Sequence, residues 1–186
     1  MDPALGLIEV GSIARGMIVV DAMVKKAPVR VVEAHPTSPG KWVVVVSGGV
    51  AEVEEAMAEG LAVAGDARID HLFLPQVHDQ VPTAMAGGRL VGTPDQGAIG
   101  IVETHTVASA VLGADAACKA ALVHIVQMRL GQGLGGKAFF VLTGELYDVE
   151  AAAEAAEGVI GRMLLAREIV PRPHPDFLAI YGLHGA

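Results

Sequence analysis

The chain has 186 residues, 52% of them hydrophobic and 18% charged, with a mean hydropathy of +0.49; this excludes a disordered segment and a large multidomain enzyme, and leaves one ordinary domain or two small ones. Thirteen basic against 21 acidic residues give a formal charge of −8 with no Lys/Arg run, which argues against nucleic acid as a partner. A single cysteine, Cys118, excludes an intrachain disulfide and fits a reducing, cytosolic setting.

The amino terminus lacks the basic region and small-residue cleavage site of a signal peptide. Uncharged stretches such as residues 104–114 fall short of the roughly 18 apolar residues a membrane helix needs. With aromatics at only 4%, the apolar surface is mostly Ala, Val, Ile and Leu, which suits close packing against protein.

In chain order, the apolar run 4–10 reads as a strand. Ser12 then offers a helix N-cap, and Ile13, Met17, Val20 and Val24 recur at helical spacing until Ala27 and Pro28 end the helix. The β-branched runs 29–33 and 42–46 read as two strands joined by the turn-rich residues 35–40. A second helix carries Val50, Val53 and Met57 on one face, a strand over 69–74 closes the unit, and 75–97 form a connection.

The same order then starts again. Ala4 to Glu9 return as Ala98 to Glu103, and Asp21 to Lys25 as Asp115 to Lys119, 94 positions on; Gly40-Lys41, Ser47-Gly48 and Val53-Glu54 have counterparts 96 positions on. Two residues are therefore inserted between Val32 and Gly40, and insertions belong in exposed loops. In the second copy Thr106 replaces Ser12 as cap, Val107, Val111, Ala114 and Cys118 follow, strands over 123–128 and 138–142 flank 130–136, and Leu146, Val149 and Ala153 mark the last helix face. Cys118 takes the place of Val24 and reads as a small buried side chain. Each copy is β-α-β-β-α-β, an α+β unit of ferredoxin-like size with helices on one side of an antiparallel sheet; the predicted domains are 1–90, with the connection, and 91–186.

Candidate sites are few. Gly131, Gly133 and Gly136 match a dinucleotide-binding GxGxxG, but a β-like segment follows where that motif needs a helix N-terminus, which argues against a cofactor-binding enzyme. His35, His71, His78, His105, His124, His174 and His184 show no i, i+4 pairing and no matched places in the two copies, so no metal site is expected. Glu9 and Glu103 are matched carboxylates without a neighbour to shift their pKa, and read as hydrogen-bonding groups. Lys25 and Lys119 end matched helices in Asp-x-x-x-Lys, placed for an ion pair and for the helix dipole.

Taken together, Gly6 to Glu9 and Gly100 to Glu103, Asp21 to Lys25, Pro39-Gly40-Lys41 and Gly135-Gly136-Lys137, and Pro171 to His174 resemble the bacterial microcompartment shell proteins. The resemblance covers nearly the whole chain and is to members with two tandem shell (BMC) domains, of the trimeric single-layer type found in propanediol-utilisation compartments. It implies a non-catalytic structural protein of a compartment shell in the bacterial cytoplasm: a homotrimer shaped as a pseudohexameric tile, self-assembling edge to edge with other shell proteins. It further implies that Lys25, Lys119 and Arg172 lie at the tile edge, and that Thr37, Ser38, Pro39 and Gly40 with Gly131, Gln132, Gly133, Leu134 and Gly135 line a central pore for small polar metabolites. Propanediol-type members carry a cysteine in this loop, and three copies hold an iron–sulfur cluster on the threefold axis. Here the residue is Ser38, a poor cluster ligand, so no cofactor is expected; the alternative is a redox tile with a metal or cluster on that axis, helped by His35.

Overall fold

A computed structural model describes residues 3–87 and 97–180. The elements run β1 (Ala4–Val10), α1 (Ile13–Lys26), β2 (Arg30–Thr37), β3 (Lys41–Gly48), α2 (Val50–Ala64), β4 (Arg68–Leu74), α3 (Gln80–Met85), β5 (Ala98–Thr104), α4 (Val107–Ala120), β6 (His124–Leu130), β7 (Ala138–Gly144), α5 (Leu146–Ile160), β8 (Leu164–Pro171) and α6 (Pro175–Ile180). This is the expected order twice over, with two short helices added at α3 and α6. The sheets are four-stranded and antiparallel, ordered β2-β3-β1-β4 and β6-β7-β5-β8.

The registers locate the insertion. Pro36 pairs with Trp42 where Leu130 pairs with Ala138, so the offset changes from 94 to 96 inside the β2–β3 and β6–β7 turns and nowhere within a strand. Both copies also carry a bulge at matched places, Val31/Glu33 and Ile125/Gln127, as expected of a feature that shapes an edge strand. Strand β2 runs on through Pro36 to Thr37, past the expected end at residue 33; it is an edge strand, where a missing N–H is tolerated.

By contacts the chain forms two compact units. The first comprises Met1–Val77 with Thr106–Ser109 and Gly131–Gly136, and the second His78–His105, Ala110–Leu130 and Lys137–Ala186. In the first unit, α1 and α2 pack on the sheet face that carries Ala4, Ile8, Val10, Val44 and Val46. Gly6 lies under α2, where an added Cβ would stand 2.6 Å from Met57 Sδ. In the second unit Gly100 does the same under α5, with Val149 Cγ1 at 2.8 Å. The opposite face of that sheet, with Ile99 and Val141, packs against Phe177 and Leu178 of α6.

Three expectations need correction. In α1 the buried residues are Gly16, Val19 and Met23, while Ile13, Met17 and Val24 are 39%, 55% and 40% exposed; their counterparts Val107, Val111 and Cys118 in α4 are buried. Val50 and Leu146, both expected on a core face, are also exposed, because each opens its helix beyond the sheet contact made one turn later by Val53 and Val149. Finally, two histidines do have matched places. The pairings Leu5–Leu74 and Ile99–Val170 align Leu74 with Val170, hence His78 with His174, and in each the ring Nδ1 accepts the backbone N–H two residues on, from Gln80 and Asp176.

Candidate functional site

The turns that join β2 to β3 and β6 to β7 both belong to the first unit. The first is tight: Gly40 N donates to Thr37 O at 2.9 Å, the Ser38–Pro39 peptide is cis, and Gly40 has φ +113°. In the second, the three glycines of the GxGxxG pattern, Gly131, Gly133 and Gly136, have φ of +78°, +72° and +82°. The pattern serves a left-handed turn between two strands, not a helix N-terminus, and the dinucleotide reading falls with it.

The two turns touch. A Cβ on Gly136 would stand 2.7 Å from the Ser38 carbonyl oxygen, and one on Gly131 3.0 Å from Thr37 Cγ2. Lys41 Nζ donates to Gly136 O at 3.3 Å and lies 3.6 Å from Glu9 Oε2. Glu9 is fully buried, and its Oε1 accepts the backbone N–H of Ala108 at 2.8 Å. Burial pushes the Glu9 carboxyl above its ordinary value, against the opposing pull of the Ala108 hydrogen bond and the Lys41 charge. Nearby, Asp70 Oδ2 accepts hydrogen bonds from Thr106 Oγ1 and Ser109 Oγ, and Thr106 Oγ1 caps α4 through the Ser109 N–H. A buried carboxylate–lysine brace thus sits behind the turns and fixes their relative position.

Of the turn residues named from the sequence, Ser38, Pro39, Gly40, Gln132, Gly133 and Gly135 are exposed, Leu134 is half-buried, and Thr37 and Gly131 are buried against each other. The exposed set is small and polar. Lys25 and Lys119 pair with Asp21 and Asp115 at 2.6 Å, as the Asp-x-x-x-Lys spacing predicts, and Arg172 is exposed with φ +52°. Sequence reasoning missed the Glu9–Lys41 brace and the Asp70 contacts, although the repetition of Glu and of Gly-Lys in both copies was the available signal.

The donor set does not suit an iron–sulfur cluster. Such a cluster needs thiolates, but the turn offers the Ser38 hydroxyl, and Cys118 is buried in α4 with its thiol pushed up to about 12, chiefly by burial. His35 is engaged with Glu33 at 3.1 Å. Among the described residues no three His, Cys, Asp or Glu side chains are grouped to hold a metal ion; His184 lies outside them.

The duplicated β-α-β-β-α-β unit defines the class: the chain belongs to the BMC domain family, whose domain matches residues 4–77 and again 98–173. It is similar to the bacterial microcompartment shell protein PduT of Citrobacter freundii, 39% identical over 176 residues that cover 94% of this chain and 95% of that one. The crystal structure of a microcompartment protein from Desulfitobacterium hafniense is 38% identical with a TM-score of 0.84, over 97% and 99% of the two chains. The carboxysome assembly protein CcmO of Synechococcus elongatus is 27% identical over 188 residues, 94% of this chain and 67% of that protein. The family and the α+β architecture read from the repeated motifs are therefore the ones found.

Proposed function

We propose that this chain is a structural tile of a bacterial microcompartment shell, three copies forming a pseudohexamer around a central opening, with small metabolites as its cargo and other shell proteins as its edge partners. The observation that carries this reading is the placement of the β2–β3 and β6–β7 turns side by side, braced from behind by Lys41 and Glu9. Six such turns, two per chain, line the opening. Their exposed members are Ser38, Pro39, Gly40, Gln132, Gly133 and Gly135, with Leu134 at the margin and Thr37 and Gly131 packed beneath them as support. Small side chains and accessible backbone amides favour polar or anionic solutes over bulky apolar ones. Lys25, Lys119 and Arg172, all exposed, form the edge. No redox role is assigned, because the turn lacks a thiolate.

The test is Ser38→Trp in shells reconstituted with this tile. Solute flux falls while the circular dichroism spectrum is unchanged; flux equal to that of the unmodified tile would remove Ser38 from the opening.

A further inference from the structure

The chain makes three polar contacts whose counterparts, one repeat along, are not made among the described residues, where Glu103 meets Lys137, Asp21 meets Lys25 and Asp176 meets His174. In the first unit Glu9 Oε1 accepts the N–H of Ala108, in the first turn of α4, at 2.8 Å. In the second unit Asp115 Oδ1 accepts the N–H of His78 at 2.8 Å, and Gln80 Oε1 accepts the N–H of Ile125 at 2.9 Å. Shifting each residue by the repeat offset of 94 or 96 gives Glu103 with Ala14, Asp21 with His174, and Asp176 with Val31.

The shifted residues are on the surface. The Glu103 side chain is 38% exposed where that of Glu9 is 0%, and the Asp21 side chain is 58% exposed where that of Asp115 is 5%. Ala14 is exposed in the first turn of α1, where the Ser12 hydroxyl accepts the Arg15 N–H at 3.3 Å and the Ala14 N–H has no intrahelical acceptor. Along the same helix Ile13, Met17 and Val24 are exposed where Val107, Val111 and Cys118 are buried. An apolar stripe, the Ala14 N–H beside the Ser12 cap and Asp21 thus lie on one repeat, and Glu103 with the exposed His174 and Asp176 lies on the other.

We propose that a second copy of this chain docks on α1 by repeating these contacts across the subunit boundary: Glu103 of one copy accepts the Ala14 N–H of the next, the next copy's Asp21 accepts the His174 N–H of the first, and Asp176 of the first accepts the next copy's Val31 N–H. The contact is head-to-tail and leaves the same open surfaces at each end of a pair, so it propagates until a ring closes. The third contact differs from its precedent. Gln80 also donates to Val123 O, which a carboxylate cannot do, so Asp176 supplies the acceptor only. This inference rests on the trimeric reading above and names the residues of its joint.

Asp115 reaches the His78 backbone directly, so cysteines at the shifted positions fall within disulfide reach. In a Cys118→Ala background, Asp21→Cys/His174→Cys oxidises to covalent species of two and three chains on a non-reducing gel, and a mixture of the two single-cysteine proteins yields covalent pairs containing one of each. The light-scattering mass of the same chain without the new cysteines separates the failures. A trimer that gives no cross-link overturns this pairing and leaves the tile; a single-chain mass overturns both.

Discussion

Glu9 and Ala108 stand 99 residues apart in sequence, and a 2.8 Å hydrogen bond joins the Glu9 carboxylate to the Ala108 backbone N–H. Glu9→Ala leaves that amide without its acceptor in a buried place and is expected to cost about 1–3 kcal/mol, whereas Glu9→Gln keeps an acceptor oxygen and costs less. Urea unfolding at one fixed protein concentration checks the order of the two.

The same carboxyl has a pH signature. Its pKa in the fold is raised above the ordinary 4.5, so the native state binds the proton more tightly than the unfolded chain. That contribution is complete below about pH 4.5 and is lost as pH rises through the raised value. Wild type therefore loses stability relative to Glu9→Gln between acid and neutral pH. Parallel stability–pH curves for the two proteins would contradict the burial of a charge at Glu9.

Gly6 and Gly100 occupy matched places under α2 and α5 but tolerate a methyl group differently. A Cβ at Gly6 meets Met57 Sδ at 2.6 Å, on an unbranched side chain that can swing away, with the stiff Val53 Cγ1 farther off at 3.0 Å; one at Gly100 meets the equally stiff Val149 Cγ1 at 2.8 Å. Gly100→Ala is expected to cost about 1–3 kcal/mol by overpacking, and Gly6→Ala less. Chemical denaturation of the two variants decides, and equal costs would show that α2 and α5 are equally able to shift.

Cys118 is buried, with its thiol pushed up to about 12. Thiolate is the reacting form, so a disulfide reagent at pH 8 labels the native chain far more slowly than the chain in denaturant. Labelling at equal rates would place the thiol at the surface.

The Lys25 side chain is 73% exposed and pairs with Asp21 of its own helix. Lys25→Ala is expected to change stability by less than about 0.5 kcal/mol, leave the oligomer intact and weaken the growth of extended layers seen by electron microscopy. Dissociation of the oligomer by this substitution would contradict the proposed place of Lys25 at the tile edge and put it at the subunit joint.

Most of the fold was legible because duplication doubles every signal. A β-branched run such as 42–46 or an Asp-x-x-x-Lys helix end is weak once and strong when it recurs at a fixed offset. The α1 face was misread because that helix is apolar nearly all round: Gly16, Val19 and Met23 meet the sheet, and the equally periodic Ile13, Met17 and Val24 do not. Periodicity reports a stripe without saying which stripe a single chain buries. Helices α3 and α6 have six residues each, too short to show a helical period. The turns were visible as Gly- and Pro-rich segments, but the brace behind them depends on Lys41 meeting Gly136 and Glu9 meeting Ala108, contacts of long sequence separation that no local pattern carries.

The most direct measurement is the absolute mass of the purified chain by light scattering after size exclusion, with iron assayed on the same peak. Three chains of 19.1 kDa give about 57 kDa, and the account predicts that mass without iron. A peak at the mass of one or two chains would contradict the tile, and iron in stoichiometric amount would contradict the reading of Ser38.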